Sequence, residues 1–158
     1  MTDHIKLDPT DKKILEIMQE RGRITNSQLS KEIGLSPAPT LERVKKLELQ
    51  EVIQSYHAKI NKEKIGLGVS TFVMVTLKGH NRETIEKFTK SIASIDEIME
   101  CHHTTGSGDF LLKVVAKDIS SYQKLMLEKV TEIPVVDNLQ SIVILSTFKE
   151  SRVLPIKI

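Results

Sequence analysis

Three stretches of this 158-residue chain carry residue types whose spacing is suited to chemistry. The first runs from Ser36 to Lys46. Phosphate recognition needs Lys or Arg beside a helix N-terminus with free N–H groups, whereas reading a base edge needs Arg, Asn, Gln or Ser within reach of the groove floor. A helical projection of this stretch places Ala38, Pro39, Glu42, Arg43 and Lys46 on an outer face, with Lys45 to the side, Ser36 at the tip and Thr40 near the buried side. Arg43 is the one fork on that face. The second stretch, Cys101-His102-His103, invites a metal reading. In a strand Cys101 and His103 share a side and His102 opposes them, so only two ligands converge and a structural strand is the better account. The third is Gly106-Ser107-Gly108-Asp109, which by itself reads as a hairpin turn of type I′ or II′ chosen for its glycines. No nucleophile and base pair, phosphate loop or paired carboxylate occurs, and His4, His57 and His80 are scattered. The residues therefore speak for a binding protein rather than an enzyme, without a metal or a resident cofactor.

The elements that must hold these residues fall into two grammars. Up to about residue 60 the periodicity is helical. Asp8 is suited to N-cap a helix beginning at Pro9, with Ile14, Leu15 and Met18 on one face and Gly22 at the end. Thr25-Asn26-Ser27-Gln28 matches a capping box and opens a second helix in which Leu29 and Ile33 stack, closed by Gly34. Ser36 caps a third, with Pro37 in its first turn and Leu41, Val44 and Leu47 as the expected buried line. Two helices joined through a glycine corner are the grammar of a helix-turn-helix, whose second helix enters the major groove. Val52 to Ile60 reads as a strand able to act as a wing or to pair with another chain.

Asn61 to Gly68 reads as a linker. Beyond it the expected order is strand 69–78, helix 82–93, strand 98–105, strand 110–116, helix 120–130 and strand 139–148. Strand, helix, strand thus occurs twice, the split βαβ arrangement of ferredoxin-like folds. The expected fold class is α+β, with a winged helix-turn-helix domain over 1–60, a linker over 61–68 and a ferredoxin-like βαββαβ domain over 69–158. The strands are apolar on both faces, so one copy would expose an apolar patch, and at least a dimer through the open sheet face is expected.

Composition bounds the rest. The chain is 39% hydrophobic and 28% charged, a globular balance, with a formal charge of only +2. Bulk charge does not announce a nucleic-acid binder, yet Arg21 to Lys59 holds seven Lys or Arg against four Glu, a local basic excess. The single cysteine fits a reducing compartment, and cytoplasm is the expected location. No run of about 18 apolar residues occurs, so no membrane partner is expected.

LSPAPTLERVKKLE, the preceding LDPTDKKILEIMQERGRITNSQLSKEIG and the later ECHHTTGSGDFLLKV together resemble the Lrp/AsnC family, the feast/famine regulators, from about Leu7 to Ile156. The resemblance implies a winged helix-turn-helix that binds double-stranded DNA, a hinge strand, and a βαββαβ domain that binds small molecules, an amino-acid effector among them. It also implies dimers that assemble further, often into octameric discs, on the nucleoid. By the same resemblance Ser36, Pro37, Pro39, Thr40, Arg43 and Lys46 lie in the recognition helix. Thr104, Gly106, Ser107, Gly108 and Asp109, with Ser146 and Thr147, would form the effector site, Asp109 meeting the ammonium group and the glycine N–H groups the carboxylate. The family loop often carries an acidic residue where Ser107 stands. Two functions follow from this reading. One is a transcriptional regulator whose assembly or DNA affinity answers to an amino acid. The other is an effector-independent architectural protein that binds DNA by multivalency.

Overall fold

The computed structural model describes residues 5–157, so His4 lies outside the described residues. The chain divides into two compact units, Met1–Lys59 with Lys149–Ile158, and Ile60–Phe148.

The first unit holds three helices, α1 (Pro9–Glu20), α2 (Asn26–Ile33) and α3 (Pro37–Leu49). The first two begin at side-chain caps, whereas Ser36, expected to cap α3, stands at its N-cap without a side-chain cap bond. Asp8 accepts from Asp11 N–H while the Asp11 carboxylate accepts from Asp8 N–H, and Thr25 and Gln28 repeat the device for α2. Such boxes satisfy amide donors that the helix itself cannot. Gly34 closes α2 with φ 77°, the left-handed conformation that glycine adopts at no steric cost. Ile14, Leu15, Leu29, Val44 and Leu47 form the core, joined by Ile156 from the C-terminal segment. That segment is also tied to α1, where the Gln19 amide accepts from Leu154 N–H at 2.6 Å and donates to Leu154 C=O at 3.2 Å.

Two expectations are corrected here. The buried line of α3 is Thr40, Val44 and Leu47, whereas Leu41 is 43% exposed. Spacing of four and then three keeps one helix stripe, and Thr40 can occupy it because its hydroxyl donates to Ser36 C=O at 2.9 Å. Residues 52–60 form no strand in the single chain. Val52 and Ile53 pack against the core and Tyr56 donates to Glu48 at 2.8 Å. An extended run with strand-like composition still needs a ladder partner to become a strand.

The second unit opens with a 3₁₀ turn at Glu63–Ile65, ended by Gly66, and continues as β1 (Val69–Leu77), α4 (Arg82–Ile92), β2 (Ile98–His103), β3 (Phe110–Ala116), α5 (Ile119–Leu125) with a π-helical turn at Met126–Val130, and β4 (Val136–Val143). The antiparallel sheet has the order β2-β3-β1-β4, the ferredoxin-like topology expected. Alternation along β1 and β3 turns Val73, Val75, Leu77, Phe110, Leu112, Val114 and Ala116 toward a core shared with Phe88, Ile92, Tyr122 and Val130. Full burial of side chains such as Val73 and Leu112 stabilises by about 1.5–3 kcal/mol each. The opposite face presents Phe72, Met74, Leu111, Val115 and Ile142, all at least partly exposed, with Lys113 paired to Glu100 at 2.9 Å. β4 begins three residues earlier than expected and ends at Val143. Its register pairs Leu139 with Val75 and absorbs a bulge at Thr76/Leu77, which the apolar run Ile142 to Leu145 does not reveal.

Candidate functional site

The helix-turn-helix positions its own N-terminal tip. Leu35 N–H reaches back to Ser30 C=O at 3.0 Å, and Asn26 donates to Pro37 C=O at 2.8 Å, tying the start of α2 to the start of α3. Ser36 stands at the N-cap with no side-chain cap bond, leaving its hydroxyl for an outside partner. Pro37 and Pro39 carry no N–H, and Thr40 N–H is taken by Ser36 C=O at 3.3 Å. Ala38 is therefore the one residue of the first turn whose amide is available to an anion. The two prolines instead fix the backbone of that turn.

Arg43 does not stand free on the outer face. Its Nη1 lies 2.6 Å from Asp8 Oδ2 and 2.7 Å from Asp11 Oδ1, and the Asp11 side chain is buried. The Asp8 carboxyl is held below its ordinary value by Asp11 N–H and then by Arg43, and Arg43 is held above its own by Asp8 and Asp11. Arg21 is engaged likewise, in a two-pronged pair with Glu32, where Nη1–Oε1 is 2.9 Å. Arg23, Lys31, Lys45 and Lys46 remain exposed and in no ion pair among the described residues. These four add positive charge to α2, α3 and the turn before them, and Lys46 alone of them belongs to the residues singled out from the sequence. Thr40 is fully buried.

In the second unit the structure brings Thr104, Gly106, Ser107, Gly108 and Asp109 together in the β2–β3 hairpin. Thr104 N–H donates to Asp109 C=O at 2.9 Å and its hydroxyl to Gly108 C=O at 3.2 Å, closing the turn. Gly106 has φ 119°, a conformation side chains resist. Gly108 lies directly against the Met74 side chain, and a Cβ there would stand 3.3 Å from Val75 C=O. Asp109 continues the ladder through its N–H to Val75 C=O at 2.8 Å, and its Oδ2 accepts from Leu77 N–H at 2.7 Å. Its Oδ1 lies 3.1 Å from His80 Nδ1. His80 was not singled out by sequence, because nothing in the order of residues shows that the β1–α4 loop returns to this hairpin.

Ser146 and Thr147 lie elsewhere within the chain. Ile144 N–H pairs with Ser70 C=O, so both hydroxyls lie beyond the start of β1, whereas Asp109 pairs at Val75. Those points are five residues apart on one strand, roughly 16 Å. No group of three metal-competent side chains occurs among the described residues. His102 pairs with Glu100 at 3.1 Å and His103 stacks on Phe110 with ring centroids 4.9 Å apart.

Comparison with known proteins agrees with both units. A family model described as the Lrp/AsnC ligand binding domain matches residues 70–154, and one described as winged helix-turn-helix DNA-binding matches residues 7–54. Leucine-responsive regulatory proteins of Escherichia coli K12 and of Klebsiella pneumoniae are each 40% identical over 151 residues, covering 96% of this chain and 92% of theirs. Among solved structures, a transcriptional regulator of Neisseria meningitidis in complex with L-methionine superposes with TM-score 0.91 at 33% identity, covering 95% of this chain and 97% of that one. An AsnC family transcriptional regulator from Agrobacterium tumefaciens gives 0.88 at 29% identity, covering 94% and 97%.

Proposed function

The chain belongs to the Lrp/AsnC family of DNA-binding transcriptional regulators, and on that premise we propose that it binds double-stranded DNA through α3 and answers to an amino acid held at the 104–109 hairpin. The observation that carries this reading is the disposition of charge on the first unit. Lys45 and Lys46 are exposed on α3 and the Ser36 hydroxyl is uncommitted at its tip, while Arg43 is spent on Asp8 and Asp11. With the Arg43 fork engaged, α3 offers point charges that meet phosphates, so one copy reads sequence weakly and binds modestly. Ser36, Pro37 and Pro39 shape the tip, Lys46 meets phosphate, and Arg43 and Thr40 hold α3 in place.

Affinity then comes from repetition. The open sheet face, apolar at Phe72, Met74, Leu111, Val115 and Ile142, takes a second copy of the chain, and higher assembly toward octamers multiplies the DNA-binding units. Asp109 offers a carboxylate to an ammonium group, with Thr104, Gly106, Ser107 and Gly108 around it. Ser146 and Thr147 join the site only from a neighbouring copy. The effector acts by its differential affinity for assembled and separated states. Its work is regulatory rather than catalytic, on the nucleoid in the cytoplasm, and it uses no resident cofactor or metal.

The test is a gel shift of the chain's own promoter fragment at low salt, with and without a panel of amino acids. A shift that an amino acid strengthens or relieves supports the reading. Binding indifferent to every amino acid would favour the architectural alternative, which the engagement of Arg43 also favours, and no shift at all would end both.

A further inference from the structure

We propose that His80 belongs to the effector site, where its imidazole shares Asp109 with the effector's ammonium group and ties amino-acid binding to proton concentration. This rests on the reading of the 104–109 hairpin as the effector site. Asp109 has two oxygens with distinct duties. Oδ2 is fixed by Leu77 N–H at 2.7 Å, which orients the carboxylate, and Oδ1 meets His80 Nδ1 at 3.1 Å. The Asp109 side chain is only 17% exposed whereas that of His80 is 75% exposed, so the ring covers the carboxylate from the solvent side. An ammonium group arriving from solvent therefore reaches Oδ1 next to the imidazole. A carboxylate oxygen can accept from two donors at once.

The charge of the ring decides how well it shares. A neutral imidazole leaves Asp109 its full negative charge, so ammonium and imidazole both donate to one anion. A protonated ring places a second cation on the same carboxylate and weakens the attraction for the first. Other charged groups on the neighbouring segments have partners or face outward. Lys78 Nζ donates to Pro134 C=O at 2.9 Å, Arg82 pairs with Glu86 at 2.7 Å and Glu83 with Lys87 at 2.7 Å, while His103 stacks on Phe110. Glu132 and Asp137, leading into β4, are exposed. His80 is thus the titratable side chain in direct contact with Asp109. The matching ligand is an α-amino acid with a primary ammonium, small enough at nitrogen to fit beside a ring.

The experiment is calorimetric titration of the full chain with L-methionine and with L-leucine at about pH 5.5 and about pH 8. The native protein is expected to bind roughly two- to fivefold more weakly at the lower pH, the scale of a partly exposed ion pair. His80→Gln, which keeps a donor but cannot gain a charge, should bind alike at both, and Asp109→Asn should bind at neither. If His80→Gln keeps the native pH ratio, or the native protein binds more tightly in acid, the proposal is overturned while the effector reading stands. If Asp109→Asn binds like the native chain, or the native chain gives no saturable heat with L-methionine or L-leucine, the effector reading fails and this proposal with it.

Discussion

Arg43 of α3 reaches Asp11 of α1 at 2.7 Å, and the carboxylate it meets has a side chain only 7% exposed. The same Asp11 closes the capping box of α1, so one buried acid both begins the first helix and orients the third. Arg43 is 34% exposed, which places the pair between a surface bridge and a buried one. Removing Arg43 strands a buried charge, and Arg43→Met is expected to lower the stability of the first unit by about 1–2 kcal/mol. A double-mutant cycle with Asp11→Asn, followed by chemical denaturation, should return a favourable coupling. Additive effects would show that the contact carries no energy. DNA binding should weaken in step with the loss of α3 placement while assembly is kept.

Acid should loosen the same junction. Asp8 is held below its ordinary 3.8 by Asp11 N–H and by Arg43. A depressed folded value means that its stabilisation is fully present above the unfolded value and is lost as pH falls through the folded one. The thermal midpoint of the first unit should therefore drop on acidification below about pH 4, and the drop should be smaller in Asp8→Asn. An identical pH profile in the variant would contradict this account.

Lys46 tests the phosphate role directly. It is exposed and in no ion pair among the described residues, so Lys46→Ala should weaken binding evenly across DNA sequences. The slope of log affinity against log salt should fall by about one per copy of the chain engaged. A change in sequence preference with an unchanged slope would instead mean that Lys46 reads a base.

Gly108 is expected to tolerate no side chain. Alanine there would collide with Met74 and approach Val75 C=O at 3.3 Å, costing about 1–3 kcal/mol as overpacking. Met74→Ala should relieve part of that cost, because the methionine can be withdrawn and the backbone carbonyl cannot. Thermal denaturation of the two single variants and the double reads this out, and strict additivity would show that they do not meet.

Ile142 lies on the open sheet face at 50% exposure. Ile142→Glu should leave the fold of each copy intact and shift the protein to smaller species in sedimentation. DNA affinity should fall by about tenfold or more as linked sites are lost. Unchanged assembly would remove the open face from the interface.

Much of this protein is legible from local patterns. The N-cap at Asp8, the capping box at Thr25, the glycine corner at Gly34 and the apolar runs of β1 and β3 depend on near neighbours in sequence, so the chain alone declares three helices and a twice-repeated strand-helix-strand. The resemblance then places Asp109 in a ligand-binding loop. Which charged groups remain available was decided only by the tertiary structure. Arg43 read as a free fork on α3 because Asp8 and Asp11, more than thirty residues away in sequence, come into contact only when α1 and α3 pack. His80 read as an isolated histidine because its partner Asp109 is brought to it by the β1–β3 register. Short-range geometry is written in backbone propensity and side-chain period, whereas the pairing of distant charges follows from burial, which no local pattern encodes.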